Sequence, residues 1–233
     1  MERSQGCLEC TARGKHPFCN MENSALTKFD SIGTQVQFGS GAVIFREGDP
    51  CGSVHVLCSG RVKLSATSRE GRTLILKIAR SGEILGLSAA LAGQGYEVTA
   101  ETVEPCRLKT IRRQALLDFL DRNPDASMRA ARAVAQEYKA AFSEVRRLAL
   151  PATASGRVAN LLLDWSREQS SPEGAVRGRC MMPLTHEEIA SMTATTRETV
   201  TRVLGQLKRD NLIQIHGAAL TVLQPQALER LAV

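Results

Sequence analysis

No run of 18 consecutive apolar residues occurs along the 233 residues, so no segment is long enough to cross a bilayer as a helix. The first thirty residues also lack the basic, apolar, small-residue order of an export signal. The expected location is therefore cytoplasmic, with no membrane partner. Catalytic signatures are missing as well: there is no G-x-S-x-G elbow, no Walker A loop and no H-E-x-x-H zinc pair. Histidines 16, 55, 186 and 216 and the Gly39-Ser40-Gly41 run stand without a supporting motif, which leaves an enzyme as the remote reading. No internal repeat or low-complexity tract is present.

What the chain does have is enough apolar content, 43%, to bury a real core, and a length that suits two domains better than one. Its net charge of +6 favours a polyanionic partner, as support only. The seven cysteines are odd in number and have no secretory context, which argues against a disulfide scaffold and for thiols kept reduced for metal or redox use.

From about Val36 to Thr110 short β-branched runs alternate with turn signals, the spacing of a small antiparallel β-roll or jelly roll. From about Arg113 the pattern becomes long helix. Met128, Ala131, Ala135, Tyr138, Phe142, Val145 and Ala149 recur at alternating three- and four-residue intervals, a heptad seam that predicts pairing with a second copy of the helix. The alternative is that this stripe packs on its own β-roll. Pro151 ends the helix, residues 150–156 read as a hinge, and a further helix carrying Trp165 runs from Ser155 to about Gln169, followed by a solvent-facing loop at 170–179.

Residues 184–213 read as two helices joined by a tight turn. Thr185 and Glu188 form a capping box, the turn runs through Thr193 and Ala194, and Thr195 or Thr196 caps the second helix. Val200, Val203, Leu204 and Leu207 fall on one side of that helix. Arg197, Glu198, Thr201 and Arg202 fall on the other, near the N-terminal end where a recognition helix meets base edges. Arginine can bridge guanine O6 and N7, glutamate can accept from cytosine N4, and threonine can touch a thymine methyl or a phosphate. The stretch after it alternates around His216-Gly217 like the hairpin of a wing. The expected DNA-contacting set is Thr185, Thr195, Thr196, Arg197, Glu198, Thr201 and Arg202. An ordinary helical hairpin with a solvated charged face is the plainer reading, and the ordered series of capping box, turn, threonine cap and wing weighs against it.

The segment TRETVTRVLGQLKRDNLI resembles the recognition helix of the CRP/FNR family of bacterial transcription regulators, and FREGDP, VLCSGRVKLS and SGEILGL resemble the glycine-punctuated turns of that family's N-terminal domain. The resemblance implies an α+β chain: a cysteine-bearing segment at 1–22, a β-roll sensor domain at 23–112, a dimerisation helix at 113–150 and a winged helix-turn-helix domain at 151–233. It implies base contacts by Arg197, Glu198 and Arg202, a homodimer on a palindromic double-stranded DNA site, and RNA polymerase as a further partner.

Cys7, Cys10 and Cys19 lie close together beside His16, in a segment otherwise too polar and short to form a core. Such clustering is characteristic of metal or iron-sulfur ligation. In the oxygen-sensing FNR branch three N-terminal cysteines join a fourth late in the β-roll to hold a four-iron four-sulfur cluster, and by resemblance Cys106 is that fourth. The eight residues between Cys10 and Cys19 are a longer gap than in that branch. Zinc held by Cys7, Cys10, Cys19 and either Cys106 or His16 is the alternative, with a bare thiol switch beside it. Cys51, Cys58 and Cys180 are expected to be bystanders. The family's cyclic-nucleotide branch uses a G-E-L/I turn and an Arg followed by a small residue. Here those positions read Gly86-Leu87-Ser88 and Tyr96-Glu97, and Glu97 would repel a phosphate.

Overall fold

The computed structural model describes residues 6–11, 13–168, 179–181 and 184–232. The loop expected at 170–179 lies outside these except for Arg179, as does the side chain of Cys180. The chain divides into two compact units, residues 1–71 with 75–140 and residues 72–74 with 141–233.

The first unit is built on β1 (Gly33–Phe38), β2 (Val43–Phe45), β3 (Ser53–Ser59), β4 (Arg61–Thr67), β5 (Thr73–Arg80), β6 (Ile84–Leu85), β7 (Thr99–Thr102) and β8 (Cys106–Arg112). They form two four-stranded sheets, ordered β1-β8-β3-β6 and β2-β7-β4-β5. This is the expected antiparallel roll. Val54, Leu57, Val62, Leu108 and Ile111 are fully buried in its core. Between β3 and β4 the chain turns at Gly60 with φ +92°, a conformation an L side chain resists, and a Cβ there would meet Cys106 Sγ at 2.6 Å.

Two helices accompany the roll that periodicity did not predict. α1 (Asn23–Ser31) buries Leu26 and Phe29, and α2 (Leu87–Ala92) is bracketed by the left-handed glycines Gly86 and Gly93. The N-terminal segment is also less independent than its polarity predicted. Phe18 and Met21 enter the core, Phe18 meeting Phe29 edge-on at 5.4 Å. Two apolar side chains anchored on someone else's core need no periodic pattern of their own.

The helical stretch expected at 113–150 is divided into α3 (Arg113–Asp121) and α4 (Pro124–Ala149). Pro124 lacks an N–H and disfavours helical backbone at Asn123, so it ends one helix and begins the next. α4 turns Ala126 and Ala130 into the core, with Ala133 and Val134 partly buried beside them. The predicted seam lies on a different face. Met128, Tyr138, Phe142 and Val145 are 55%, 66%, 55% and 62% exposed, and Ala131, Ala135 and Ala149 are exposed with them. Within the first unit, the part of the stripe from Met128 to Tyr138 is therefore not the face that packs on the β-roll.

The second unit contains α5 (Ala154–Glu168), β9 (Arg179–Met181), α6 (His186–Met192), α7 (Arg197–Arg209), β10 (Ile213–His216), β11 (Ala219–Val222) and α8 (Pro225–Leu231). Val158, Leu162, Ile189, Val200, Leu220 and Leu228 make its core. The predicted hairpin is β10-β11, turning at Gly217 with φ +57°, and β9 adds a third strand beside β11. A β-roll, a long helix and a winged helix-turn-helix thus follow one another along an α+β chain.

Candidate nucleic-acid interface and cysteine pocket

The start of α6 is fixed by the predicted capping box. Thr185 Oγ1 accepts from the Glu188 N–H at 3.2 Å, and Glu188 Oε2 accepts from the Thr185 N–H at 2.9 Å. α6 ends in a turn at Thr193 and Ala194, where Ala194 adopts φ +48°, a left-handed conformation that costs about 1 kcal/mol or more outside glycine. Arginines from outside the motif brace this turn. Arg147 Nη1, near the end of α4, donates to the Met192 carbonyl at 2.9 Å, and Arg157 Nε of α5 donates to the Thr193 carbonyl at 2.8 Å. Both meet carbonyls that a helix C-terminus leaves unpaired. Neither was singled out from the sequence.

Of the two candidate caps, Thr196 is the one used: it is the N-cap of α7, its side chain accepting from the Thr199 N–H at 3.3 Å. Thr195 is half-buried in the turn, its N–H bonded to the Ala190 carbonyl. Behind α7 lie Val200, Val203, Leu204 and Leu207, all buried as predicted. Arg197, Glu198, Thr201 and Arg202 are exposed on the opposite side. The Glu198 carboxyl is held below the usual carboxylate range by the backbone N–H at the helix start and by Thr196, so it stays an acceptor. Thr201 is less available than expected. Its hydroxyl donates to the Arg197 carbonyl at 2.9 Å and lies 2.8 Å from His186 Nδ1, a link between α6 and α7 that sequence reading missed.

In the first unit the N-terminal segment folds back over the outer face of β3 and β8. The Cys7 N–H donates to Asp30 Oδ2 at 3.1 Å, Arg13 donates to Asn23 Oδ1 at 2.8 Å, and the Pro17 carbonyl accepts from Arg129 of α4 at 2.5 Å. His16 Nε2 lies 3.1 Å from Ser81 Oγ, which donates in turn to the Cys58 carbonyl at 2.7 Å. These anchors bring Cys7, Cys10, Cys19 and Cys58 to one pocket. Its walls also include His16, Arg13, Arg107 and Lys109. Among the described residues no three Cys, His, Asp or Glu side chains already stand in the arrangement of a bound metal ion. The thiols share a pocket without forming a finished cage.

Burial pushes the Cys7 thiol up to about 12, assisted by its hydrogen bond with Asp30. Burial likewise pushes Cys19 up to about 12, and the neighbouring Cys58 and Cys10 add to the rise. Burial raises Cys58 too, against the opposing pull of Arg107. Burial alone would raise the Asp30 carboxyl, but hydrogen bonds from Lys109 and Cys7 outweigh it and hold it below its ordinary value. Cys106, the fourth thiol expected by resemblance, does not join this group. It is buried in the core, and its Sγ donates to the carbonyls of Glu104 at 3.1 Å and Arg61 at 3.3 Å.

The positions compared with a cyclic-nucleotide pocket are occupied by core packing. Tyr96 stacks on Phe45 with ring centroids 3.9 Å apart and donates its hydroxyl to the Ser53 carbonyl at 2.6 Å. A Cβ on Gly86 would meet the Tyr96 ring at 2.6 Å. Ser88 Oγ lies 3.4 Å from the exposed carboxylate of Glu97.

Residues 156–231 match the Crp-like helix-turn-helix domain, and residues 35–123 match the cyclic nucleotide-binding domain. The chain is 31% identical over 221 residues to the global nitrogen regulator of Synechococcus elongatus, covering 90% of this chain and 97% of that protein. It is 26% identical over 215 residues to the CRP-like cAMP-activated global transcriptional regulator of Mycobacterium tuberculosis, covering 92% and 95%. The solved structure of FixK2 from Bradyrhizobium japonicum superposes with a TM-score of 0.75 at 23% identity, covering 87% of this chain and 98% of that one, a likeness of fold. No helix of the described residues is long and apolar enough to cross a membrane.

Proposed function

The chain belongs to the CRP/FNR family of DNA-binding transcription regulators, and we propose on that premise that it is a homodimer whose affinity for a palindromic duplex is set at its N-terminal cysteines, where an iron-sulfur cluster is the sensing group. Arg197, Glu198 and Arg202 stand clear of the core on α7, free to meet base edges, while Thr185, Thr195 and Thr196 hold the two helix starts against the backbone of the duplex. Pairing follows from the exposed seam of α4. A heptad stripe is complementary to its own copy, and duplication about a two-fold axis places two recognition helices one turn of DNA apart. RNA polymerase is the further partner for such a regulator.

The observation that carries the sensor reading is the entry of Cys7, Cys10 and Cys19 into one pocket. The donor set fits the group chemically: thiolates are the ligands iron-sulfur clusters take, and Arg13, Arg107 and Lys109 line the pocket where negative charge would gather. A cluster held there supplies a centre that oxygen, nitric oxide or another oxidant can convert or destroy. Each cysteine must give up its proton to act as ligand, so the raised thiol values make ligation strongly pH-dependent. The route outward is short. Arg129, which grips the Pro17 carbonyl, is the neighbour of Met128 in the seam. A shift of the segment at 6–20 therefore bears on the face through which two copies pair, and a two-state change in that pairing sets whether the recognition helices match the half-sites.

A cyclic nucleotide is the rival signal, favoured by the domain match at 35–123. Against it stand Tyr96, committed to the core, and Glu97, which would face a phosphate with like charge. Purification without air, followed by visible absorbance, iron, sulfide and zinc analysis and DNA affinity before and after exposure to oxygen, separates the readings. Brown protein whose absorbance and DNA affinity change together in air is the expected result. Colourless protein with about one zinc per chain, or cyclic AMP enhancing DNA binding, would overturn the iron-sulfur sensor and leave the DNA reader standing.

A further inference from the structure

We infer that the fourth ligand of this centre is Cys58 on β3, and that Cys106 on β8 is a core residue. The inference rests on the reading of the N-terminal cysteines as cluster ligands. It begins with strand parity. Arg107 and Lys109 of β8 line the cysteine pocket, and successive side chains on a strand point to opposite faces. Cys106 therefore points away from the pocket, into the space beneath the turn at Gly60. There it is sealed, its Sγ engaged with two backbone carbonyls and lying where a Cβ on Gly60 would collide with it. A ligand has to reach the metal, and Cys106 would have to cross its own sheet.

Cys58 reaches the pocket by the same alternation: Val56, two residues before it on β3 and paired with Lys109, lines the pocket too. β3 pairs with β8 so that Leu57 faces Leu108 and Ser59 faces Arg107, two residues advancing on β3 for one on β8. Cys58 is the extra residue of a β-bulge, a device that recurs beside functional sites. Cys58 stands on the pocket wall with Val56, in the company of Cys7, Cys10 and Cys19, and the bulge leaves it without a partner across the ladder. The N-terminal segment is fastened at this point: His16 meets Ser81, and Ser81 holds the Cys58 carbonyl. The Cys58 thiol makes a long contact of 3.7 Å to the Val56 carbonyl and a second one to the Lys109 backbone, weak bonds to give up. Four thiols, each losing one proton on binding, complete the set.

The test compares the full-length wild type with C58S and C106S, all purified without air, for iron and sulfide per chain and for the visible absorbance band. C58S is expected to lose at least five-fold in both, whereas C106S keeps its iron. Thermal melts followed by circular dichroism establish that each variant is folded. A second measurement leaves every residue in place: the metal-free chain is treated with diamide, digested, and its disulfides mapped by mass spectrometry. Cys58 joined to Cys10 or Cys19 supports the assignment. Iron lost from C106S and kept in C58S, or an N-terminal cysteine joined to Cys106, would overturn it. Absence of iron from the wild type itself would instead refute the cluster reading on which the assignment rests.

Discussion

Replacing Arg202 with alanine is expected to abolish sequence-specific DNA binding and leave the fold untouched. The side chain is exposed, and none of the described residues pairs with it. Its neighbours Val203 and Leu204, 5% and 2% exposed, hold α7 in place without its help. Truncation removes no packing and puts a good helix former in its place, so stability should stay within about 0.5 kcal/mol of the wild type. On DNA the arithmetic is different. One bidentate arginine-guanine contact contributes about 1 to 3 kcal/mol, and a dimer loses two of them. The loss on a selected palindrome is then about 2 to 6 kcal/mol, or roughly 30-fold to 20,000-fold in affinity. A random duplex of equal length offers no guanine contact to lose. Fluorescence anisotropy on both duplexes at several salt concentrations reads the difference. Equal losses on the two, with the salt slope lowered by about two charges, would show that Arg202 touches only phosphate and would refute the assignment. A large fall in melting temperature would refute the premise that it packs against nothing.

Two further outcomes are expected. Phe142→Asp or Val145→Asp should turn the proposed dimer into monomer in sedimentation, since either sets a charge in the middle of the exposed seam through which pairing is proposed; a variant that stays dimeric and binds DNA normally would exclude the seam. His55, enclosed by Ser53, Thr110 and the Phe45 ring, is pushed by burial down from 6.5 to about 4. Its folded value lies below its unfolded one, so its contribution is complete above pH 6.5 and is lost as the pH falls through 4, by about 3 kcal/mol in all. Denaturant titrations from pH 7.5 to 4 should show wild type losing about that much more than His55→Gln, and parallel curves would show that the imidazole is not buried neutral.

The reader domain was legible because its signals are local. A capping box, a threonine cap and a 3.6-residue apolar period each span only a few residues, and Thr185, Thr196 and Val200 to Leu207 all stand where those signals put them. The seam on α4 was equally visible, although only the structure shows that Ala126 and Ala130, and not the seam, meet the roll. What local pattern could not show depends on parity or on distant partners. Cys58 and Cys106 look alike in sequence, since nothing in either run tells which face of its strand meets the N-terminal segment. α1 and α2 are short, and what makes them worth forming is a core supplied by other strands. Arg147 and Arg157 meet carbonyls 45 and 36 residues away, beyond any window of helical periodicity.

Those two arginines decide how portable the DNA-reading motif is. The angle between α6 and α7 is held by guanidinium groups rooted in α4 and α5, outside the stretch that carries the recognition residues. The motif is therefore not a cassette. A chimaera that transplants residues 184–216 onto a foreign frame carries the exposed side chains of α7 with it and leaves behind the props that aim them. Swapping specificities among such regulators should accordingly succeed when single exposed positions on α7 are exchanged in place, and fail when the helix pair is moved whole without its donors from α4 and α5.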